Sequence, residues 1–215
     1  MASSTTVKLA SGLGAAGAVG GGAVLSKPYL FPNTPTLKSE IEKDGWTLLT
    51  SSHSDAISEV LVAYKTKQQT SPFSFKGDDS KASDKLLQEC KKLYERTADH
   101  SDKENSLKKL KRWCVVPKTT KERLDYLGVT LFSMDDPSNS GNESQDWVNK
   151  AKGHTDSAAN RFTDLTTLET GDGKDNGNAN KLRKHCSSKL TVKSTDEAFD
   201  DTLIKIKDWY SNHSS

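Results

Sequence analysis

The residue patterns in this 215-residue chain that could carry chemistry each lack an essential partner. Gly12, Gly14 and Gly17 match the G-x-G-x-x-G fingerprint of dinucleotide-binding proteins. That fingerprint requires a strand before it, a helix after it and an acidic residue at the end of a second strand. The first acidic residue after Gly17 is Glu40, and no strand pattern leads into it. The glycines therefore do not predict a nucleotide site.

Candidate metal ligands are equally incomplete. A loop rich in glycine and aspartate opens at Asp172, but Lys174 and Arg183 stand where a calcium loop needs an oxygen ligand and a bidentate glutamate. The five histidines form no H-x-x-x-H or H-E-x-x-H pair. His185 and Cys186 are adjacent, so on a helix they would point in different directions. We predict no metal, no cofactor, no small-molecule ligand and no catalytic residue, so the chain is not expected to be an enzyme.

The three cysteines, Cys90, Cys114 and Cys186, all fall on apolar positions of helical patterns. A free cysteine in such a position behaves as a small hydrophobic residue, and packing as buried thiols is the favoured interpretation. In an oxidising compartment, one disulfide among the three would leave one thiol over. Both interpretations stay open, as does the pairing.

The strongest charge feature is a basic stretch, residues 103–123, in which eight basic residues face only two acidic ones. Trp113 lies within it, and a basic segment with an aromatic residue can contact phosphates. The favoured interpretation is a solvated helix face, because Leu107, Leu110 and Cys114 form an apolar side. The net charge of +2 also disfavours nucleic acid. The candidate contact residues are Lys103, Lys108, Lys109, Lys111, Arg112, Lys118, Lys121 and Arg123.

A second feature is the run of seventeen uncharged residues from Leu9 to Leu25, which Lys8 and Lys27 flank. Seventeen residues is the lower limit for a helix that crosses a bilayer. Six of them are glycine, which suits a water-soluble helix poorly. We predict an uncleaved membrane anchor, with a cleaved signal peptide and an inert glycine- and alanine-rich tail as alternatives. The anchor implies a single pass with the rest of the chain outside; the alternatives imply a secreted or cytoplasmic protein.

Residues 1–31 are thus a hydrophobic segment with the start of a proline-rich spacer, and residues 32–215 form a separate domain. Polar loops are predicted near 68–80, 135–144 and 171–180. Between them, apolar residues recur at helical spacing in about seven segments. The segment from Val129 to Met134 is the best strand candidate, but it has no partner strand. The predicted fold is a small all-α, multi-helix domain.

Local signals sharpen several helix boundaries. Thr34 with Pro35 predicts a helix that ends at Gly45. The segments Thr119–Glu122 and Ser194–Glu197 both have the capping-box pattern. One further helix is predicted to begin at Trp147, and a second is predicted to run through Ala158, Phe162 and Leu165. The most consistent helix carries an apolar stripe of Phe199, Leu203, Ile206 and Tyr210.

The segment from Lys111 to Leu124 reads Lys-Arg-Trp-Cys-Val-Val-Pro-Lys-Thr-Thr-Lys-Glu-Arg-Leu. With the opening Lys8-Leu9-Ala10 and the overall layout, it resembles the large paralogous protein families of haemotropic mycoplasmas. No activity is established for those families, so no functional residue is carried over. The resemblance implies association with a membrane or surface, and a role in host contact or antigenic variation.

Two functions from different classes follow. The first is a membrane-anchored, non-enzymatic surface protein whose helical domain contacts a host molecule or another protein partner. The alternative is a cytosolic helical protein that binds nucleic acid or an acidic partner through the basic stretch.

Overall fold

The computed structural model describes residues 35–66, 73–137, 141–155, 157–165 and 168–211. Contacts divide the chain into two units, Met1–Asn33 and Thr34–Ser215, and the fold described below is that of the second. The predicted anchor at residues 9–25 lies outside the described residues. Among the helices of the described part, none is long and apolar enough to cross a membrane.

The predicted all-α class is confirmed, with eight helices in the described residues. They are α1 (Leu37–Lys43), α2 (Ser54–Thr66), α3 (Ala82–Tyr94), α4 (Lys103–Trp113), α5 (Thr120–Tyr126), α6 (Gln145–Gly153), α7 (Asp175–Lys189) and α8 (Phe199–Tyr210). Extended pairing in the same residues is limited to isolated bridges. One of them joins Leu131 to Ser211, so the strand candidate at 129–134 contributes a single bridge and no strand.

A first core lies among α1 to α4. Helix α2 follows the apolar stripe that sequence spacing predicts, Ile57, Val60, Leu61 and Tyr64. Leu61 is partly buried against this core, and the other three are buried in it. Phe75, from the loop before α3, stacks on Tyr64 with ring centroids 4.7 Å apart, so this loop adds apolar surface to the core. The remaining buried members are Leu37, Ile41, Trp46, Leu49, Ala82, Leu86, Cys90, Leu93, Leu110, Trp113, Cys114, Val115 and Phe199.

A second core lies among α5 to α8. Trp147 of α6 is its largest fully buried side chain, and its ring lies 5.2 Å from that of Tyr210. The other buried members are Leu124, Val129, Ala151, Phe162, Ala179, Leu182, Cys186, Leu190 and Ile206. Helix α8 joins the two cores, because Phe199 at its start packs in the first and Ile206 and Tyr210 pack in the second.

Two segments in the C-terminal half have a different secondary structure from the predicted one. The segment with Ala158, Phe162 and Leu165 forms turns where it is described, and Asn160 has a φ of 52° that a helix does not allow. The predicted loop at 171–180 becomes helical at Asp175, so only its first residues are a loop. The reason lies in tertiary hydrogen bonds: the side chain of Asn178 binds both the backbone N–H and the carbonyl of Glu169.

The two capping boxes have different outcomes. The box at Thr119 and Glu122 forms as predicted at the start of α5. The box at Ser194 does not, since α8 begins at Phe199 and its N-cap, Ala198, has no side-chain cap. The Ser194 hydroxyl instead accepts a hydrogen bond from the backbone N–H of Lys118. Helix α1 likewise begins later than predicted, with Thr36 as its N-cap.

Candidate contact surface on the basic stretch

The basic stretch covers α4, the linker that follows it and α5. Its eight basic side chains do not share one solvated face, because four of them bind other elements of the domain and a fifth, Lys121, pairs along its own helix. Those five are Lys103, Lys111, Lys118, Lys121 and Arg123. The other three, Lys108, Lys109 and Arg112, line a groove.

Asp44, which follows α1, is the main internal partner of the basic stretch. Arg123 is buried and donates hydrogen bonds to the Asp44 carbonyl at 2.6 Å and to its carboxylate at 2.5 Å. The Lys111 Nζ lies 2.8 Å from the other carboxylate oxygen. Burial would raise the pKa of Asp44, but the hydrogen bonds from Lys111 and Arg123 outweigh it and hold that pKa below its usual value. These charges therefore fasten α1 to α4 and α5.

Two aromatic rings share this centre. The Arg123 guanidinium lies 4.8 Å from the ring centroid of Trp46 and 5.0 Å from that of Tyr126, within cation–π range. Lys118 lies near the same rings and donates to the Gly45 carbonyl at 3.0 Å. Gly45 has a φ of +76°, and the Tyr126 ring packs against it so closely that there is no room for a side chain. Arg123 and Lys118 are thus held by groups within the domain.

The two remaining internal pairs are exposed or half-buried. Lys103 pairs with Glu40 of α1 at 2.6 Å, and Lys121 pairs with Asp125 one turn along α5 at 2.7 Å. Exposed pairs of this kind contribute little to stability. They nevertheless occupy two more of the side chains that were predicted as contact residues.

The groove, which we name the charged groove, has a volume of about 380 Å³. One wall comes from α4 and is basic: Lys108, Lys109, Lys111 and Arg112. The other comes from the turn before α8 and from the first turn of that helix, and is acidic: Asp196, Glu197, Asp200 and Asp201. Trp113 and Phe199, both buried, lie between the walls.

Charges on the two walls are only partly neutralised. Asp201 pairs along its own helix with Lys205 at 2.6 Å, and the Asp196 carboxylate accepts the N–H of Ala198 at 2.8 Å. In the described part of the chain, Lys108, Lys109 and Arg112 make no ion pair within 4.0 Å, and neither does Asp200. The charged groove therefore keeps opposite charges apart.

A second cavity, of about 740 Å³, lies where α6 ends and α7 begins. His154 accepts a hydrogen bond at Nε2 from the N–H of Phe162, and burial lowers the pKa of His154, so its imidazole is neutral near pH 7. Lys152 pairs with Asp175 at 2.7 Å. The Glu169 carboxylate binds two lysines that lower its pKa to about 2. The charges of Lys152 and Glu169 in this cavity are thus matched by partners within the domain.

The residues considered as nucleophiles or metal ligands, His185 and Cys186, lie in or beside the second core. The His185 Nε2 lies 3.3 Å from the Asp164 carboxylate, and burial lowers the pKa of His185 despite that neighbour. Cys186 is a buried free thiol in the second core. Among the described residues, no three histidine, cysteine, aspartate or glutamate side chains are grouped to hold a metal ion.

Of the alternatives for the cysteines, the structure shows one disulfide. It joins Cys90 of α3 to Cys114, the residue that ends α4, and both half-cystines are fully buried. The bond therefore clamps two helices that carry the first core. The favoured interpretation as three buried thiols holds for Cys186 alone.

Sequence reasoning missed the most buried charge pair. Arg183 of α7 donates from Nε to both carboxylate oxygens of Glu143, at 3.0 and 2.9 Å, and both side chains are almost fully buried. The same guanidinium binds the Met134 carbonyl at 2.7 Å and the carboxylate of Asp136. In the sequence, Arg183 stands out only because it occupies a calcium-loop position that requires glutamate. No local pattern links it to its partners, which lie 40 or more positions earlier. The acidic wall did have a signal, in the paired acids at 196–197 and 200–201.

Comparison with known proteins gives no relative: no family model, no curated protein and no solved structure matches this chain. The function must therefore be argued from the chain itself.

Proposed function

We propose that this chain is a membrane-anchored, non-enzymatic surface protein whose helical domain contacts a host molecule or another protein. The observation that carries the proposal is the disulfide between Cys90 and Cys114. Disulfides form and persist in oxidising surroundings and are rare in the cytosol. The uncharged run at residues 9–25 supplies a segment of the minimum length for an anchor.

The proposed membership in a haemotropic mycoplasma family rests on the segment Lys111–Leu124, and the structure gives that segment a scaffolding role. Trp113 and Cys114 are buried in the first core, and Thr119 caps α5. Arg123 binds Asp44. Because this segment stabilises the fold, we expect members of such a family to share it, and to differ instead in the surface residues that contact their partners.

The alternative, binding of nucleic acid or an acidic partner by the basic stretch, has less support. Five of its eight basic side chains bind groups within the domain. The other three line a groove whose opposite wall is acidic and would repel a polyanion. This arrangement argues against a phosphate-binding surface.

The cysteines allow a direct test in cells. Cells that express the full chain are denatured without reductant and treated with a thiol-reactive polyethylene glycol. We expect one modified thiol, Cys186, and three after reduction, since the disulfide protects the other two. A Cys186→Ala variant is the matched control and should show none and then two. Three reactive thiols before reduction would contradict the proposed location outside the cytosol.

The anchor needs its own experiment. Membranes are washed first with high salt and then with alkaline carbonate. We expect the full chain to stay with the membrane through both washes, and a variant that lacks residues 1–25 to be soluble. Release of the intact full chain by salt alone would show that charge holds it to the membrane, and would contradict an inserted anchor.

A further inference from the structure

We propose that the charged groove is a docking site for an extended segment of a partner protein that carries acidic side chains along one edge and basic side chains along the other. This inference rests on the proposed function as a contact domain and adds the chemistry of the partner. It assigns a role to the part of the basic stretch that the domain does not use internally.

The walls of the charged groove carry opposite charges that do not neutralise each other. Lys108, Lys109 and Arg112 on α4 lie across the charged groove from Asp200 and its acidic neighbours. None of these three cations makes an ion pair within 4.0 Å in the part of the chain that the structure describes. The disulfide at Cys114 and the packing of Phe199 attach both walls to the first core.

Only a partner that carries both signs of charge satisfies both walls. A polyanion would be attracted by the α4 wall and repelled by the acidic wall, and a polycation would meet the reverse. Juxtaposed like charges cost an interface several kcal/mol, which excludes partners of a single sign. In an extended strand, successive side chains point to opposite sides. A strand with alternating acidic and basic residues therefore presents one sign to each wall.

The size of the charged groove suits a short segment. The charged groove has about 380 Å³, which lies in the range of sites that enclose a small ligand or a few side chains. Trp113 and Phe199 line the charged groove but are buried in the first core, so a bound segment meets mainly the two charged walls. A short extended segment fits this shape better than the face of a folded domain.

The test uses the full chain in detergent micelles and three fluorescent peptides of equal length. The first alternates glutamate and lysine, the second has the same composition in two blocks, and the third contains glutamate alone. We expect the alternating peptide to bind most tightly by fluorescence anisotropy, and its affinity to fall as salt increases. The block peptide should bind more weakly, because an extended form of it cannot present one sign to each wall.

Variants locate the site. Arg112→Glu reverses a charge on the basic wall, and Asp200→Lys reverses one on the acidic wall. Each should weaken binding of the alternating peptide about tenfold. The matched control is Lys184→Glu, which makes the same change in net charge as Arg112→Glu on an exposed side chain of α7 and should have no effect. Circular dichroism of each variant checks that the helices remain.

Several results would overturn the proposal. They are no binding of the alternating peptide, equal binding of the alternating and block peptides, tighter binding of the all-glutamate peptide, and equal effects of Lys184→Glu and Arg112→Glu. Self-association that Arg112→Glu abolishes would show that the occupant is a second copy of this chain. These results leave the thiol and membrane experiments untouched, so failure of the docking site and failure of the surface location can be told apart.

Discussion

The first core encloses a disulfide, whereas the second encloses an ion pair and a free thiol. In the first, the bond between Cys90 and Cys114 ties α3 to the end of α4. In the second, the pair between Arg183 and Glu143 ties α7 to the loop before α6. The disulfide stabilises the fold mainly by lowering the conformational entropy of the unfolded chain. The ion pair acts in the folded state, where its attraction must offset the free-energy cost of desolvating two charges. The two halves should therefore respond differently to reductant and to substitution.

This difference bears on function because the two walls of the charged groove come from helices with different roles in the cores. Its basic wall is on α4, next to the disulfide, and its acidic wall is at the start of α8, which joins the two cores. A rigid basic wall requires the first core to be intact.

The largest effect is expected for Phe199→Ala, because this residue anchors α8 in the first core. Phe199 is buried, and its ring meets that of Trp46 edge-on at 6.3 Å. Removal of a buried phenylalanine ring costs about 3–5 kcal/mol, a large share of the stability of a small domain. The matched control is Ile204→Ala on the same helix, where the side chain is 51% exposed and the cost should stay within about 0.5 kcal/mol. Equal, small costs in urea titrations would mean that α8 does not join the cores.

The next effect is expected for loss of the disulfide through the double change Cys90→Ala and Cys114→Ala. The bond closes a loop over a sequence separation of 24. A loop of this size implies a loss of about 3–4 kcal/mol on the loop-entropy model. Reductant should destabilise the natural chain and leave the double variant unchanged, and Cys186→Ala should keep the sensitivity to reductant. Hydrogen exchange should rise first in α3 and α4; a uniform rise would show that the two cores unfold as one unit.

A smaller effect, in the other half, is expected for Glu143→Gln. The change removes the carboxylate that Arg183 binds at 2.9 Å, but Asp136 and the Met134 carbonyl still bind the guanidinium. We therefore expect a cost of about 2–3 kcal/mol. Glu169→Gln is the control, since this carboxylate is half exposed, is also paired with lysines, and should matter little. Hydrogen exchange should rise in α6 and α7; a rise in α3 instead would contradict the assignment of this pair to the second core.

The helices that sequence predicted well are those with a periodic apolar stripe and local end signals. Helix α2 follows its stripe of Ile57, Val60 and Tyr64, and α5 follows its capping box. Both signals lie within one or two turns of the chain, so they do not depend on distant partners. The all-α class follows from the sum of such segments.

Predictions failed where distant partners decide the structure. The polar residues at the start of α7 look like a loop, but Asn178 binds the backbone of Glu169 and Asn176 binds that of Glu143. The basic stretch was visible in sequence, but Arg123 and its partner Asp44 are 79 residues apart. Charge counting alone cannot distinguish a side chain that binds inside the domain from one that faces a groove.

The smallest effect tests the one cap that sequence predicted correctly. The Thr119 hydroxyl accepts the N–H of Glu122, and the Glu122 carboxylate accepts the N–H of Thr119 at 2.7 Å. Thr119→Ala should cost about 0.5–2 kcal/mol at pH 7. Thr130→Ala, at an exposed position outside the helices, is the control.

The capping box also predicts a dependence on pH. Two hydrogen bonds from Thr119 hold the pKa of Glu122 below its ordinary value. The bond from the backbone N–H has the larger effect, and the bond from the hydroxyl has the smaller one. A carboxyl group whose pKa is lowered by folding stabilises the fold above its unfolded pKa of about 4.3, and this contribution is lost as the pH falls through the folded pKa. Because Thr119→Ala removes the hydroxyl that supports the lowered pKa, the stability gap between this variant and the natural chain should narrow from pH 7 to pH 3 in urea titrations. A gap of constant size would show that the Thr119 hydroxyl caps the helix without coupling to the carboxylate, and a gap that widens would reverse the assigned sign.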